Sequence, residues 1–350
     1  MLDTISYGQL YSCHEYKEKK RCPNCGSLNT KKNGFIYSRV ISFRGKVKRK
    51  TQRFYCKSCL SSFTNVGKDK RTKSSIDFRR KIVRESVMHK SSLSEVASRN
   101  KISKTSILNW MDLEAYRLIL PPINPELCSG YLQLDGKEVK LKGKKRTILL
   151  ATDSKTKQPL HYQISVREDK ASTITFLSHL KRLYPKEVKG FTTDFGRGKC
   201  FIKPIKEMFP QANHQVCLVH FARYMTMFIP RTRRSKYWFR NLMLKHIIKK
   251  IIYDKDNSQY WIDKLNHFKP FFKAKYHKRF IKSINNNYEL LTKYFTYDLL
   301  DINTNLIENY IRQLNRKIKN LDGFKSENNL HCFMKIWFNE NVKKYRFSHN

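Results

Sequence analysis

Three acidic residues lie in sequence contexts where a carboxylate could take part in chemistry. Asp135 lies inside an apolar, strand-like run, Asp194 ends a second such run, and Glu308 lies in the first turns of a helix-like segment. The chain holds only 28 acidic residues, so an acid on a buried strand needs a reason. Carboxylate oxygens suit Mg²⁺ or Mn²⁺, and metal-assisted phosphoryl transfer uses two such ions about 3.5–4 Å apart. We interpret these three acids as candidate ligands of a catalytic divalent-cation pair.

Each assignment has an alternative. Asp135 and Asp194 could be structural caps instead of ligands. Glu308 has acidic neighbours in the sequence that could take its place, namely Glu289, Asp298 and Asp301. Asp153, which precedes Ser-Lys-Thr-Lys, is typical of a hairpin turn and is excluded from the candidates.

Two C-x2-C pairs near the start of the chain predict a structural metal site. The spacing places four thiolates, Cys22, Cys25, Cys56 and Cys59, on two successive turns. Four such ligands suit tetrahedral Zn²⁺. Strand-like runs at residues 35–43 and 51–55, with Gly34 and Gly45 at turn positions, complete a zinc ribbon that, with an N-terminal extension, spans residues 1–67.

A third pair, Cys217 and His220, also has metal-like C-x2-H spacing. Two ligands do not close a zinc site. A core cysteine beside a hydrogen-bonded histidine is therefore an open alternative to a role in supporting the candidate active site.

Residues 68–120 have the pattern of a helix-turn-helix domain. Ser92 and Glu95 form a predicted capping box before a short second helix, and Ser103 can cap the third. Ile76, Ile82 and other apolar residues recur at helical spacing. The polar residues near the start of the third helix are candidate DNA contacts: Lys104, Thr105, Ser106 and Asn109.

The pattern changes after the proline-rich break at residues 121–125. Strand-like runs at 131–140, 146–153 and 160–166 precede a helix at 171–183, a strand at 188–193, a helix near 201–208 and a strand near 215–219. This order predicts an α/β RNase H-like core that begins at 126–224. A helical insertion at 225–300 and a final segment at 301–350 follow, the latter with a helix at about 304–319. The first and fourth strands of such a sheet are neighbours, so Asp135 and Asp194 should converge.

The charge of the chain favours a polyanionic partner. Seventy-two basic against 28 acidic residues give a formal net charge of +44. The longest apolar stretches are far shorter than the roughly 20 residues of a membrane span, so no membrane partner is expected. Nine cysteines without a leader-like start favour reduced thiols or metal ligands and a cytoplasmic, nucleoid location. Arg312 and Arg316, on the face of Glu308, are further candidate DNA contacts, although a solvated helix face is an equal alternative.

The chain resembles prokaryotic insertion-sequence transposases of the DDE type, in the Mutator-like group. The resemblance is carried by Leu-Asp-Gly at 134–136, Thr-Asp at 193–194, Cys-Leu-Val-His at 217–220 and Thr-Asn-Leu-Ile-Glu-Asn at 304–309. It covers nearly the whole chain and implies that Asp135, Asp194 and Glu308 are the catalytic triad. It also implies binding of double-stranded DNA at terminal inverted repeats, metal-dependent phosphodiester hydrolysis and strand transfer, by a homodimer or higher oligomer. A catalytically inactive DNA-binding regulator and an RNase H-like nuclease are the alternatives.

Overall fold

The computed structural model describes residues 20–42, 45–64, 74–195, 200–229, 235–321 and 323–347. The chain divides into two compact units, Met1–Lys81 and Ile82–Asn350. Residues 1–19, 43–44 and 65–67 of the predicted ribbon domain and residues 68–73 of the predicted helix-turn-helix domain lie outside the described residues.

The first unit contains a small antiparallel sheet in the order β1-β2-β3. Its strands are β1 (Thr30–Ser42), β2 (Gly45–Cys56) and β3 (Ser62–Thr64), so the first two are longer than predicted. The prediction of a turn at Gly34 was wrong. Gly34 lies within β1 at φ +66°, where the pairing with β2 shifts register between Lys32 and Phe35. Glycine adopts this backbone conformation at little cost, and the result is a β-bulge.

Three helices precede the larger sheet: α1 (Ile76–Met88), α2 (Leu93–Arg99) and α3 (Lys104–Arg117). The capping box of α2 is present, because Glu95 N donates to Ser92 Oγ at 3.2 Å and Ser92 N donates to Glu95 Oε2 at 2.8 Å. Ser103 caps α3 by accepting from Ser106 N at 3.0 Å. Ile82 is buried as predicted, but Ile76 is exposed because it occupies the first position of α1.

A five-stranded sheet forms the centre of the second unit, in the order β6-β5-β4-β7-β8. Its strands are β4 (Tyr131–Leu141), β5 (Lys144–Asp153), β6 (Pro159–Ser165), β7 (Gly190–Thr193) and β8 (Asn213–Val216). The first three are antiparallel, whereas β7 pairs parallel to β4 and β8 parallel to β7. Apolar residues of α4 (Lys170–Leu183) and α5 (Ile202–Met208) form one core with the sheet. Strand β8 ends earlier than predicted, since Leu218 already begins a helix.

The rest of the second unit is helical. Helices α6 (Leu218–Phe228), α7 (Trp238–Tyr253), α8 (Ser258–His267) and α9 (Lys275–Thr292) share an apolar core. The last two helices are α10 (Asn305–Asn320) and α11 (Glu327–Phe347). Helix α10 packs on β4 and β5, and α11 packs on β6 and on α3. The chain is thus a mixed α/β protein with a small N-terminal sheet and a helical C-terminal region.

In the described part of the chain, no helix combines the length and the apolar character needed to cross a membrane.

Candidate functional site

Asp135 and Asp194 lie side by side at the centre of the five-stranded sheet. The parallel pairing of β4 with β7 ends with Leu134 opposite Thr193. Asp135 directly follows Leu134, and Asp194 directly follows Thr193. Because the two strands are parallel, the two aspartates therefore lie next to each other across them. The neighbouring first and fourth strands that the sequence predicted are therefore present.

A buried glutamine brings the start of α10 to these aspartates. Gln133, on β4, donates from Nε2 to Asp301 Oδ2 at 2.7 Å and to the Asn303 carbonyl at 3.3 Å. Its Oε1 accepts from Ile307 N at 3.2 Å. These bonds anchor the loop and the first turn that carry Glu308.

His220 connects the second and third acids. Its Nδ1 lies 3.2 Å from Asp194 Oδ1 and 3.5 Å from Glu308 Oε1. The buried Thr304 hydroxyl donates to Glu308 Oε1 at 3.2 Å and lies 3.4 Å from His220 Nδ1. Cys217 is fully buried, and its sulfur, a His220 ring nitrogen and a Glu308 oxygen lie within 4.8 Å of one another. The structure thus brings Asp194, Glu308, Cys217 and His220 together.

Burial, hydrogen bonds and neighbouring charges shift the pKa values of the side chains in this cluster. Burial, followed by the charge of Asp194, raises the pKa of Asp135 to about 8. Burial also raises the pKa of Asp194. A hydrogen bond with Cys217, together with the charges of Asp194 and Glu308, raises the pKa of His220 to about 9 despite burial. Although burial acts to raise the pKa of the Cys217 thiol, hydrogen bonds with His220 and Thr304 lower it.

The donor set fits a divalent cation. Asp194 Oδ1 is buried and has no hydrogen-bond partner among the described residues, although His220 lies near it. A buried carboxylate oxygen without a hydrogen bond is costly unless a cation binds it. Glu308, which contacts the same His220, and Asp135, on the neighbouring strand, are further carboxylates that would supply the hard oxygen ligands that Mg²⁺ and Mn²⁺ prefer.

The neighbouring acids of the sequence have other roles. Asp153 is buried and accepts hydrogen bonds from Ser129 N at 2.7 Å and Thr156 N at 3.0 Å, so it orders the β5–β6 turn. Asp301 bonds to Gln133 and forms an ion pair with Lys155 at 3.1 Å. The two remaining acids lie on exposed surface: Glu289 and Asp298.

Sequence reasoning missed one acid of this region. Glu168 lies in the loop between β6 and α4, and its charge acts on both Asp135 and Asp194. No strand or helix pattern marks a loop residue, so nothing local in the sequence indicates it. Thr304 was also missed as a partner of Glu308, although it begins the same motif.

The four N-terminal cysteines form a compact cluster in the first unit. The Cys22 and Cys59 sulfurs are 3.6 Å apart, the Cys25 and Cys56 sulfurs are also 3.6 Å apart, and all four lie within 4.8 Å of one another. Tetrahedral zinc–sulfur bonds of about 2.3 Å require sulfurs about 3.8 Å apart. The Ser61 hydroxyl, 3.0 Å from Cys59 Sγ, lowers the pKa of that thiol to about 6. The cluster therefore fits Zn²⁺.

The candidate DNA contacts occupy two exposed surfaces of the second unit. On α3, Lys104, Thr105 and Asn109 are exposed, whereas Ser106 is half-buried and bonds to Ser103. On α10, exposed arginines and their neighbours line a cavity of about 460 Å³. Its lining residues are Lys157, Leu306, Asn309, Tyr310, Arg312, Gln313 and Arg316.

The five-stranded sheet carries acidic residues next to the Cys217–His220 pair, and such an arrangement is suited to metal-dependent chemistry. The family model "Transposase, Mutator family" matches residues 126–328, a range that includes all three acids. The chain belongs to this family.

Two curated relatives are similar to the chain. The transposase for insertion sequence element IS905 of Lactococcus lactis is 29% identical over 53% of this chain, and the match spans 45% of that protein's length. An uncharacterized 48.3 kDa protein of insertion element ISM1 from Methanobrevibacter smithii is 25% identical over 92% of this chain and 83% of that protein. A solved chain from a simian T-cell lymphotropic virus intasome complex is 14% identical, with a TM-score of 0.23 over 44% of this chain and 60% of that chain.

Proposed function

We propose that this protein is a DDE-type DNA transposase that binds the terminal inverted repeats of its element and cuts and joins DNA with divalent cations. The observation that supports this most directly is the convergence of Asp194 and Glu308 on His220, within 3.2 and 3.5 Å, beside Asp135. The strand order β6-β5-β4-β7-β8, with three antiparallel and then two parallel strands, supports an RNase H-like core.

In this proposal Asp135, Asp194 and Glu308 hold Mg²⁺ or Mn²⁺. The ions would activate the attacking oxygen and stabilise the leaving oxygen. In the metal-free protein a hydrogen bond with Cys217 and the charges of Asp194 and Glu308 raise the pKa of His220 to about 9. His220 keeps the Asp194 and Glu308 carboxylates close together, and its charge favours a phosphate nearby. Cys217 orients the His220 ring through their hydrogen bond.

DNA recognition is assigned to the N-terminal parts and to α10. The three helices α1–α3 act as a helix-turn-helix in which Lys104, Thr105, Ser106 and Asn109 contact the terminal repeat. The zinc ribbon and the α10 arginines add contacts to the phosphate backbone, which the net charge of +44 favours. A homodimer or higher oligomer would bring two element ends together.

The decisive experiment is cleavage of a labelled duplex that carries an inverted repeat from the DNA flanking the gene. Asp135→Asn, Asp194→Asn and Glu308→Gln preserve side-chain shape and remove charge. Each should abolish 3′-end cleavage and strand transfer in Mg²⁺ or Mn²⁺ while repeat binding stays close to wild type.

Asp298→Asn is the matched control. Asp298 is close to Glu308 in sequence but lies on exposed surface, so this variant should retain cleavage. Full activity in Glu308→Gln would remove Glu308 from the catalytic acids. Repeat binding without any metal-dependent cleavage by the wild type would show an inactive DNA-binding regulator instead.

A further inference from the structure

We propose that Glu168 is a fourth carboxylate of the divalent-cation site formed by Asp135, Asp194 and Glu308. This inference rests on the proposed function of that site. It assigns a ligand role to a loop residue outside the catalytic triad.

The position of Glu168 against β4 carries the inference. Gly136 directly follows Asp135, and a Cβ atom at that position would lie 2.6 Å from Glu168 Oε2 and 3.3 Å from Oε1. Such a distance is a steric clash. The absence of a side chain at residue 136 therefore allows the Glu168 carboxylate to lie against the strand next to Asp135.

A cysteine from another segment contacts this carboxylate, and hydrogen bonds fix the loop that carries it. The Cys200 thiol donates to Glu168 Oε1 at 2.8 Å. The next residue, Asp169, is the N-cap of α4 and accepts from Ser172 N at 2.9 Å. Arg167 pairs with Asp169 at 2.6 Å. Among the ion pairs of the described residues, none includes Glu168.

Glu168 adds negative charge next to the proposed ligands, because its carboxylate faces Gly136, the residue that follows Asp135. A fourth acid adds repulsion unless cations occupy the site. Two cations need more oxygen ligands than three carboxylates alone provide, and a fourth carboxylate offers two more.

The test is a titration of the full-length, metal-free protein with Mn²⁺ in the absence of DNA. Electron paramagnetic resonance measures the concentration of free Mn²⁺ at each step. Glu168→Gln should weaken binding of at least one Mn²⁺ by about 10- to 100-fold, the range found when groups supporting a metal site are removed. Glu207→Gln is the matched control, because Glu207 lies on α5 and pairs with Lys170 at 2.8 Å. It should bind Mn²⁺ like the wild type.

Gly136→Ala tests the position of the carboxylate without changing any charge. The flexible end of Glu168 is the group that must move, so this variant should also weaken Mn²⁺ binding. Adding it to Glu168→Gln should have little further effect, because both changes act on one contact. Thermal unfolding of each variant checks that the fold is retained.

The outcomes separate this inference from the proposed function. Wild-type Mn²⁺ affinity in both Glu168→Gln and Gly136→Ala, with weakened binding in Asp194→Asn, overturns the role of Glu168 alone. Absence of Mn²⁺ binding by the wild type overturns the metal site as a whole, and with it both proposals.

Discussion

The raised pKa of Asp135 predicts how the stability of the metal-free protein depends on pH. Asp135 is a buried carboxyl group beside Asp194, and its pKa is about 8 against an ordinary value of 3.8. Between these pH values the folded chain keeps a proton that the unfolded chain has lost. Stability should therefore fall as pH rises from about 4 to about 8. The asparagine side chain of Asp135→Asn does not titrate in this pH range. The stability of this variant should therefore not show this fall between about pH 4 and pH 8.

The size of the effect follows from the two pKa values. They differ by about 4, and each pH unit corresponds to about 1.4 kcal/mol, which gives an upper limit of about 6 kcal/mol. Structural relaxation and water penetration around a buried charge reduce such an upper limit. We expect Asp135→Asn to gain about 2–4 kcal/mol of stability relative to wild type on going from pH 5 to pH 8.

The assay is urea unfolding of both proteins in EDTA at pH 5, 6, 7 and 8. Added Mg²⁺ at pH 8 should stabilise the wild type by mass action and reduce the difference, because the asparagine amide is a weaker ligand. Asp256→Asn, a change of an exposed acid, serves as the control for general charge effects. Parallel pH profiles for Asp135→Asn and wild type would refute the argument that burial and repulsion govern this carboxyl group.

Three further predictions concern the zinc content, the recognition of the terminal repeat and the contact of α10 with the α1–α2 turn. Purified protein should contain one tightly bound zinc per chain by elemental analysis, and Cys25→Ser should lose it; full zinc content in that variant would contradict the four-cysteine site. Asn109→Ala should lower the preference for the terminal repeat over random DNA by about 1–3 kcal/mol in competition binding, with little change in total affinity; an unchanged preference would remove Asn109 from the contacts. Lys317→Met should cost about 1–3 kcal/mol in urea unfolding, because the buried amine donates to two carbonyl oxygens of the α1–α2 turn at 2.8 and 2.9 Å. The exposed Lys319→Met on the same helix should cost nothing, and equal losses in both variants would contradict this.

Local signals in the sequence predicted the elements well. The capping box at Ser92 and Glu95 depends on residues three positions apart, and both of its hydrogen bonds are present. The paired C-x2-C spacing predicted a compact cysteine cluster, since each pair lies on one turn. The order of strands predicted that Asp135 and Asp194 are neighbours, because β4 and β7 must pair in such a sheet. In each case the information lies within a few residues or in the order of elements.

Contacts between distant segments decided the composition of the candidate site. Gln133 and Asp301 are 168 residues apart in the chain, yet their hydrogen bond sets where α10 begins and therefore which acid reaches Asp194. The same holds for Glu168, which lies against Gly136 only because the β6–α4 loop returns to β4. Spacing and periodicity determine which residues share a strand or a helix face. The register of the sheet and the packing of α10 determine which of several chemically equivalent carboxylates meet, because only the folded chain brings remote charges within a few ångströms.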